Sequence, residues 1–412
     1  MRTVIRADRL IDGTGAPALE AGGLVVDGDR ITDGFQGDVP EGLRGDDAQV
    51  LDYRGCTLLP GLIDSHVHLT LPGDGTSLEE CVLRDDEDVR QHAVANAQLA
   101  LSAGVTLLRD TGGKVGTIFS AREAMTQIRG HGPFPELLLC GHPLTPTRGH
   151  TWPLGGEADG CTLLRRKVRE LAQLGADWIK VMGTGGGTVN TKPWLSSYSV
   201  ADLEAVVDEA HRHDLKVTIH CLNAQSMDDA ITAGADQIEH GSFFVDPVHQ
   251  RFDERIVERI ATARIAVTPT LSVRAHYVSE LSLRESGSVG TSTELSQWQK
   301  KFNDTLRIFG RLHEAGVVIV AGTDAGWGFT PFDALPDELR LMSECGMSEL
   351  DALSSATGIA ASHLGVGSRC GTLERGKLAN VLAVRGNPLQ DIRVLRGPAM
   401  IMCRGTVVLA AD

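Results

Sequence analysis

Eight short apolar or β-branched runs, most of them separated by helical stretches, occupy the middle of this chain. They lie at 58–69, 104–109, 137–140, 178–182, 216–220, 237–240, 264–271 and 317–322. Runs so apolar fit strands buried on both faces, and consecutive parallel strands need a long crossover, usually a helix. The stretches 202–213 and 294–315 carry such a helical pattern, and a helix-rich segment at 337–364 follows the eighth run. This rhythm predicts an α/β fold, a (β/α)8 barrel of the TIM type, over residues 58–366.

The two ends read differently. Short strands with glycine turns are expected at 3–5, 23–26, 30–32 and 50–52, and again at 380–384, 392–395, 400–403 and 406–409. Neither end has enough alternating apolar surface for a sheet domain alone. Residues 1–57 and 367–412 are therefore expected to build one composite β-sandwich beside the barrel. The stretch 71–88, acidic and glycine-containing, reads as a mobile loop at the barrel mouth.

Composition excludes some function classes. With 39 basic and 54 acidic residues the net charge is −15, which disfavours phosphate neutralisation and so a nucleic-acid partner. No apolar run approaches the roughly 20 residues that span a bilayer, and the start lacks a signal-peptide core. The eight cysteines are scattered without a C-x-x-C pair, which argues against a zinc ribbon or disulfide framework and fits a cytoplasmic location. A small-molecule substrate and further copies of the chain, as a homo-oligomer, are the expected partners; nucleic acid and membrane are not.

In a parallel barrel the side chains at the C-terminal ends of the strands converge on one mouth. His66 and His68 close the first run, and on an extended strand alternate side chains share a face. Lys180 lies in the fourth run, His220 ends the fifth, His240 ends the sixth and Asp324 follows the eighth. Together these look like metal ligands and a base. Lys180 is the odd member, since an ammonium cannot bind a metal and is disfavoured in a barrel core. A neutral amine there can add CO2 to give a carbamate that bridges two cations; pairing with a carboxylate such as Asp324 is the alternative.

The segments P-G-L-I-D-S-H-V-H-L, I-K-V-M-G-T-G-G, T-I-H, I-E-H-G and G-T-D resemble the amidohydrolase superfamily, as does the C-terminal G-x-L-x-x-G-K-x-A-N. The second and fourth of these are similar to its prolidase-like and imidazolonepropionase-related branch. The resemblance implies two divalent metal ions, with Zn2+ the default. His66, His68 and Asp324 would bind one ion, His220 and His240 the other, and a CO2-derived carbamate on Lys180 would bridge them. It also implies that Asp324 is catalytic, taking the proton of a water acidified between the metals and passing it to the leaving nitrogen.

Superfamily deaminases typically place a Glu three residues after the strand-five histidine, where this chain has Asn223; imidazolone-ring hydrolases generally lack the bridging lysine. Binuclear hydrolysis of an amide-type C–N bond, in a dipeptide or N-acyl amino acid, is therefore the first expectation. Next come hydrolysis of a carbamate, urea or xenobiotic amide, then a mononuclear cyclic-amide hydrolase or deaminase. A lyase or isomerase on the same site is a further reading. A non-catalytic scaffold should have lost ligands, and all six positions carry usable ones.

Candidate substrate-binding residues are Arg148, His150, Asn223, Tyr198, Arg274 and Trp327, with His150 also a candidate catalytic residue. Arg148, Arg274, His150 and His276 are the candidates for a substrate carboxylate. Trp152, Trp194, Tyr198 and Trp327 fall in mouth loops that can wall a pocket. Leu222 stands where some dipeptidase relatives have a polar or aromatic group. The run Gly183–Gly187 lacks both the dinucleotide and the P-loop spacing, and reads as permissive backbone beside the metals. Cys221, next to His220 on a strand, should point to the other face as a core residue.

Overall fold

The computed structural model describes residues 2–43, 48–127, 133–286 and 292–410. Strands Leu62–Val67, Val105–Asp110 and Glu136–Leu139 pair parallel in chain order. Trp178–Met182, Lys216–Cys221, Gln237–His240 and Ala266–Thr268 form a second parallel set. Single parallel bridges join Leu144 to Val181, Val267 to Ile319 and Val67 to Ala325. The eighth run thus contributes isolated bridges and backbone hydrogen bonds rather than a ladder, among them Val320 N to Val267 O at 3.0 Å and Asp324 N to His66 O at 2.8 Å.

Helices follow most strands, and their starts are locally encoded. In Val200–His211, Ser199 and Asp202 form a reciprocal capping box that satisfies end N–H groups. Glu254–Ala263 buries Ile256, Val257 and Ile260 on one stripe, each isoleucine contributing roughly 2–3 kcal/mol of apolar burial. Among the described residues no helix is long and apolar enough to cross a membrane. All eight cysteines are free, and Cys221 is buried in the core as expected.

Both chain ends enter one hydrogen-bonded sheet of eight strands. Ala48–Pro60 is its joint, running parallel to Arg2–Leu10 and antiparallel to Val381–Arg385. Ile5, Leu24 and Val26 from the front share a core with Val381, Met400 and Met402 from the back. The long apolar run at 58–69 is two strands that part at Gly61, where an added Cβ would lie 2.3 Å from Thr106 Oγ1. Its first three residues pair with Val381–Ala383 and the remainder with the barrel strands.

Three local expectations change. The run at 392–395 is a 3-10 helix, Ile392–Arg396, because Asp391 accepts from Arg393 N and draws the backbone out of extended geometry. The run at 264–271 is a strand only over Ala266–Thr268; Thr270 turns left-handed (φ 48°) and helix Leu271–Arg284 begins at the mouth. The stretch 71–88 contains helix Leu78–Cys81, capped by Ser77, and the start of Asp86–Ser102. Leu71, Leu78 and Cys81 pack with Leu154 beneath Trp327.

Candidate metal centre

The rings of His66, His68, Trp327, His150, His220 and His240 form a circuit at the strand ends. Consecutive centroids lie 5.4 Å (His66–His68), 6.0 Å (His68–Trp327), 5.3 Å (Trp327–His150), 4.8 Å (His150–His220), 4.5 Å (His220–His240) and 5.1 Å (His240–His66) apart. Asp324 Oδ1 reaches inside it, 3.2 Å from His68 Nε2 and 3.4 Å from His66 Nε2. Ligand atoms of His66, His240 and Asp324 all lie within 4.8 Å of one another.

Strand alternation alone does not produce this convergence. His240 (φ 69°) and Asp324 (φ 63°) adopt the left-handed conformation that non-glycine residues rarely use. The turn at His240 lets both Glu239 and His240 serve the site from adjacent positions.

Three of the candidate ligand rings are held from behind, whereas His220 has its Nε2 3.3 Å from Gly185 O. His66 Nδ1 lies 2.7 Å from Glu239 Oε2, His68 Nδ1 donates to Gly112 O at 2.7 Å, and His240 Nδ1 lies 2.7 Å from Thr270 Oγ1. Such partners fix the tautomer and leave Nε2 for a cation. Glu239 in turn accepts from Arg109 at 2.6 Å and from Thr218, and Arg109 also donates to Ser65 O and Gln237. His150 Nδ1 lies 2.8 Å from Thr188 Oγ1, which accepts from Thr151 N at 2.9 Å. With one proton and two lone pairs, the Thr188 hydroxyl can meet either tautomer, so these contacts orient the ring without choosing which nitrogen carries the hydrogen.

Burial sets the charges. It pulls His66 down to about 4 and His150 to about 3, in both cases aided by Lys180, and holds His220 and His240 well below the usual imidazole value. Neutral imidazole is the metal-binding form; His68 departs from the others, since burial lowers it but its bond to Asp324 raises it overall. Burial would raise Asp324, but His66 and His68 hold its carboxyl well below the ordinary range. Lys180 is lowered by burial against the pull of Glu239 and Asp324, and its buried Nζ has no hydrogen-bond partner among the described residues. An orphaned amine among five imidazole or carboxylate side chains fits a site built around cations rather than around a lysine ion pair. These residues fit a metal centre.

The centre floors a cavity of about 290 Å³. His150, Arg274 and Trp327, singled out from sequence, line it, as do Leu222, Tyr277, Trp298 and Lys301. Arg148, Asn223 and Tyr198 do not. Arg148 is exposed and stacks on Trp152 at 3.9 Å; Asn223 caps helix Ala224–Ala233 through Ser226 N at 2.7 Å; Tyr198 Oη donates to Ala158 O at 2.8 Å. His276, half-buried, sits 3.8 Å from Asp337 and does not line the cavity. Sequence reading passed over Glu239, although it sits inside I-E-H-G, because alternation would turn it away from His240. Tyr277, Trp298 and Lys301 lie on helices without a motif, and only packing brings them to the mouth.

The glycine run is explained by close approach. An added Cβ would lie 2.7 Å from Ile219 at Gly183, 2.3 Å from the Lys192 backbone at Gly185, 2.4 Å from His150 Nε2 at Gly186 and 2.9 Å from Trp327 at Gly187. The backbone packs against the site and no phosphate is needed to account for it.

A sequence model of the amidohydrolase family matches residues 57–408. The chain belongs to the amidohydrolase family. This amidohydrolase is 29% identical to ochratoxinase of Aspergillus niger, over 97% of this chain and 84% of that one. It is 25% identical to imidazolonepropionase of Cupriavidus taiwanensis, over 90% of this chain and 86% of that one. The solved structure of a Xaa-Pro dipeptidase with methionine bound in its active site matches with a TM-score of 0.83 and 28% identity, covering 99% of each chain. The amidohydrolase is thus an enzyme of the prolidase-like and imidazolonepropionase-related branch, a hydrolase with a TIM-type barrel and a β domain.

Proposed function

We propose that this amidohydrolase is a binuclear metal-dependent hydrolase that cleaves an amide-type C–N bond in a dipeptide or N-acyl amino acid. The observation that carries the reading is Lys180: its Nζ is buried, lowered and without a partner, amid His66, His68, His220, His240 and Asp324. A neutral amine in that position suits carboxylation by CO2, and the carbamate would complete a ligand set for two cations. Bound there, two divalent ions, with zinc the default, would supply Lewis acidity toward a carbonyl and lower the pKa of water.

The chain's own groups do the rest. Asp324, held ionised, accepts the proton of the attacking water through the oxygen not engaged by His66 and His68, and delivers it to the leaving nitrogen. His150, held neutral by burial, donates in its Nε2–H tautomer to the carbonyl oxygen as negative charge develops there. Trp327, Gly186 and Gly187 form part of the cavity wall.

The proposal includes a closed (β/α)8 barrel, supported by the parallel bridges from Val267 to Ile319 and from Val67 to Ala325. It includes a β-sandwich of residues 1–57 and 367–412, supported by the core that the two ends share, and a reducing cytoplasmic setting, supported by eight free cysteines. A neutral carbamate or urea is the second reading, favoured by Leu222 in the cavity wall.

Metal analysis of protein purified without chelator, paired with intact mass under non-acidic conditions, tests the centre. About two metals per chain and the added mass of one CO2 are expected. One metal with no added mass would overturn the binuclear reading. A screen of dipeptides, N-acyl amino acids, carbamates and ureas then separates the two substrate readings.

A further inference from the structure

Helix Leu271–Arg284 starts at the cavity mouth and brings Tyr277, on its second turn, into the cavity wall. The ring is fixed on three sides. It stacks on Trp298 of helix Thr293–Glu314 at 4.3 Å with 2° between the planes, and it meets Phe329 edge-on at 5.1 Å. Gly328 closes the third side, where an added Cβ would lie 2.3 Å from Cε2 and 2.7 Å from Oη. These contacts hold the ring without using its hydroxyl. Among the described residues Tyr277 Oη makes no hydrogen bond, whereas Tyr198 Oη is engaged with Ala158 O. A tyrosine held this firmly with its polar end free is prepared for a ligand.

The hydroxyl stands on the Asp324 side of the cavity. Trp327 N donates to Asp324 O at 3.1 Å, a turn that carries Gly328, and the phenol packed on it, back toward Asp324. Burial and then the Asp324 carboxylate raise the phenol, so it keeps its proton. His150 sits opposite His66 in the ring circuit, whereas Asp324 lies against His66 and His68. A carbonyl whose oxygen faces His150 therefore turns its nitrogen toward Asp324, the group that must protonate it. The N–H on that nitrogen needs an acceptor once water is displaced. Arg274, Lys301, Trp298 and Trp327 in the same wall can only donate, and Thr151 Oγ1 already donates to His150 O at 2.7 Å. Among the described side chains that line the cavity, Tyr277 Oη is the neutral acceptor left on this side. The charge on Asp324 favours turning the hydroxyl hydrogen toward the carboxylate, which leaves lone pairs for the amide.

We infer that Tyr277 Oη accepts the N–H of the scissile bond, aims the nitrogen lone pair at Asp324, and so restricts this enzyme to secondary amides. This rests on the hydrolase reading above and narrows its substrate class. A site built around an N–H rejects analogues that lack it, because its own polar group is then left unpaired. An N-acyl-proline has a tertiary nitrogen without that hydrogen, and should be cleaved poorly.

The test is equilibrium binding, to the metal-loaded enzyme, of N-(methylphosphonyl)-L-leucine and of its isostere with oxygen in place of the N–H. The leucine side chain suits the apolar Leu222 and Phe244 in the wall. Wild type should prefer the N–H compound by about tenfold or more. Tyr277→Phe, which keeps the stacked ring, should remove the preference with metal content and unfolding midpoint unchanged. If that variant fails to fold, Gly328→Ala carries the comparison, since its methyl displaces Oη, and it should reduce the ratio. Equal binding of both compounds by wild type, binding of neither, or a preference that survives in the variants would overturn the inference. Turnover of N-acetyl-L-proline matching that of N-acetyl-L-leucine would overturn it as well. Hydrolysis of these two, followed separately, keeps the readings apart. No turnover of either with the binding preference intact sinks the hydrolase reading; turnover without any preference sinks the role of Tyr277.

Discussion

Asp64 and Thr323 lock the first barrel strand to the eighth segment. Asp64 Oδ1 accepts from Thr323 N at 3.1 Å and Oδ2 accepts from Thr323 Oγ1 at 2.6 Å. The same Oδ1 accepts from His66 N at 3.1 Å, so one carboxyl group sets the spacing between His66 and Asp324. Asp64→Ala leaves those donors buried and unsatisfied, and should lower unfolding stability by about 2 kcal/mol or more. Metal content should fall with it, whereas Asp64→Asn, which keeps one acceptor, should recover part of both. Denaturant unfolding and metal analysis measure the two effects; an Ala variant with normal stability and metals would remove Asp64 from this role.

Asp324→Asn should lower kcat by about 100-fold or more while product still binds, because the amide cannot carry the transferred proton. Steady-state kinetics beside product binding provides the check, and near-normal turnover would exclude Asp324 as the proton carrier.

For Lys180→Ala the expected outcome is fewer than two metals per chain and little turnover, with short carboxylic acids restoring part of the activity. Metal analysis with and without acetate decides it. Two metals and full activity without added acid would refute the bridging role.

Gly186→Ala should displace His150, whose Nε2 lies 2.4 Å from where the new methyl would sit. Activity should fall with metal content unchanged, because His150 faces the substrate side of the circuit. A fully active variant would argue against a contribution from His150.

Glu338 is fully buried and accepts from Leu271 N at 2.8 Å and Ser272 N at 2.6 Å, capping the helix that carries Arg274. Burial raises its carboxyl from 4.5 to about 7, against those hydrogen bonds. Between these values the folded state keeps a proton that the unfolded state has released, so stability falls as pH rises through the window. The contribution is about 3 kcal/mol. Glu338→Gln should flatten this part of the stability–pH curve, as followed by unfolding from pH 4 to 8; an unchanged slope would contradict it.

The spacing of apolar runs and the polar residues that close them were legible in the chain because buried parallel strands impose local patterns. His66, His68, Lys180, His220, His240 and Asp324 could be placed at one end of the strands for that reason, and the structure brings all six to one cavity. Arg148, Asn223 and Tyr198 show where such reading stops. Each sits in a loop or at a helix start, and local contacts with Trp152, Ser226 N and Ala158 O satisfy it outside the cavity. Loop side chains follow their nearest partners, and no periodicity in the sequence reports those.

By itself, then, the sequence determined which elements form and which residues end them, since strand burial and helix capping act over a few positions. Tertiary structure alone decided that Glu239 backs His66 and that Asp64 spans 259 positions to Thr323. It also decided that Arg274 lines the cavity, with no ion pair among the described residues, while His276, two residues on, does not line it. These depend on the left-handed turns at His240 and Thr270 and on how helices seat against the strands. Such backbone conformations are strained or neutral locally and persist only because the packed surroundings compensate them.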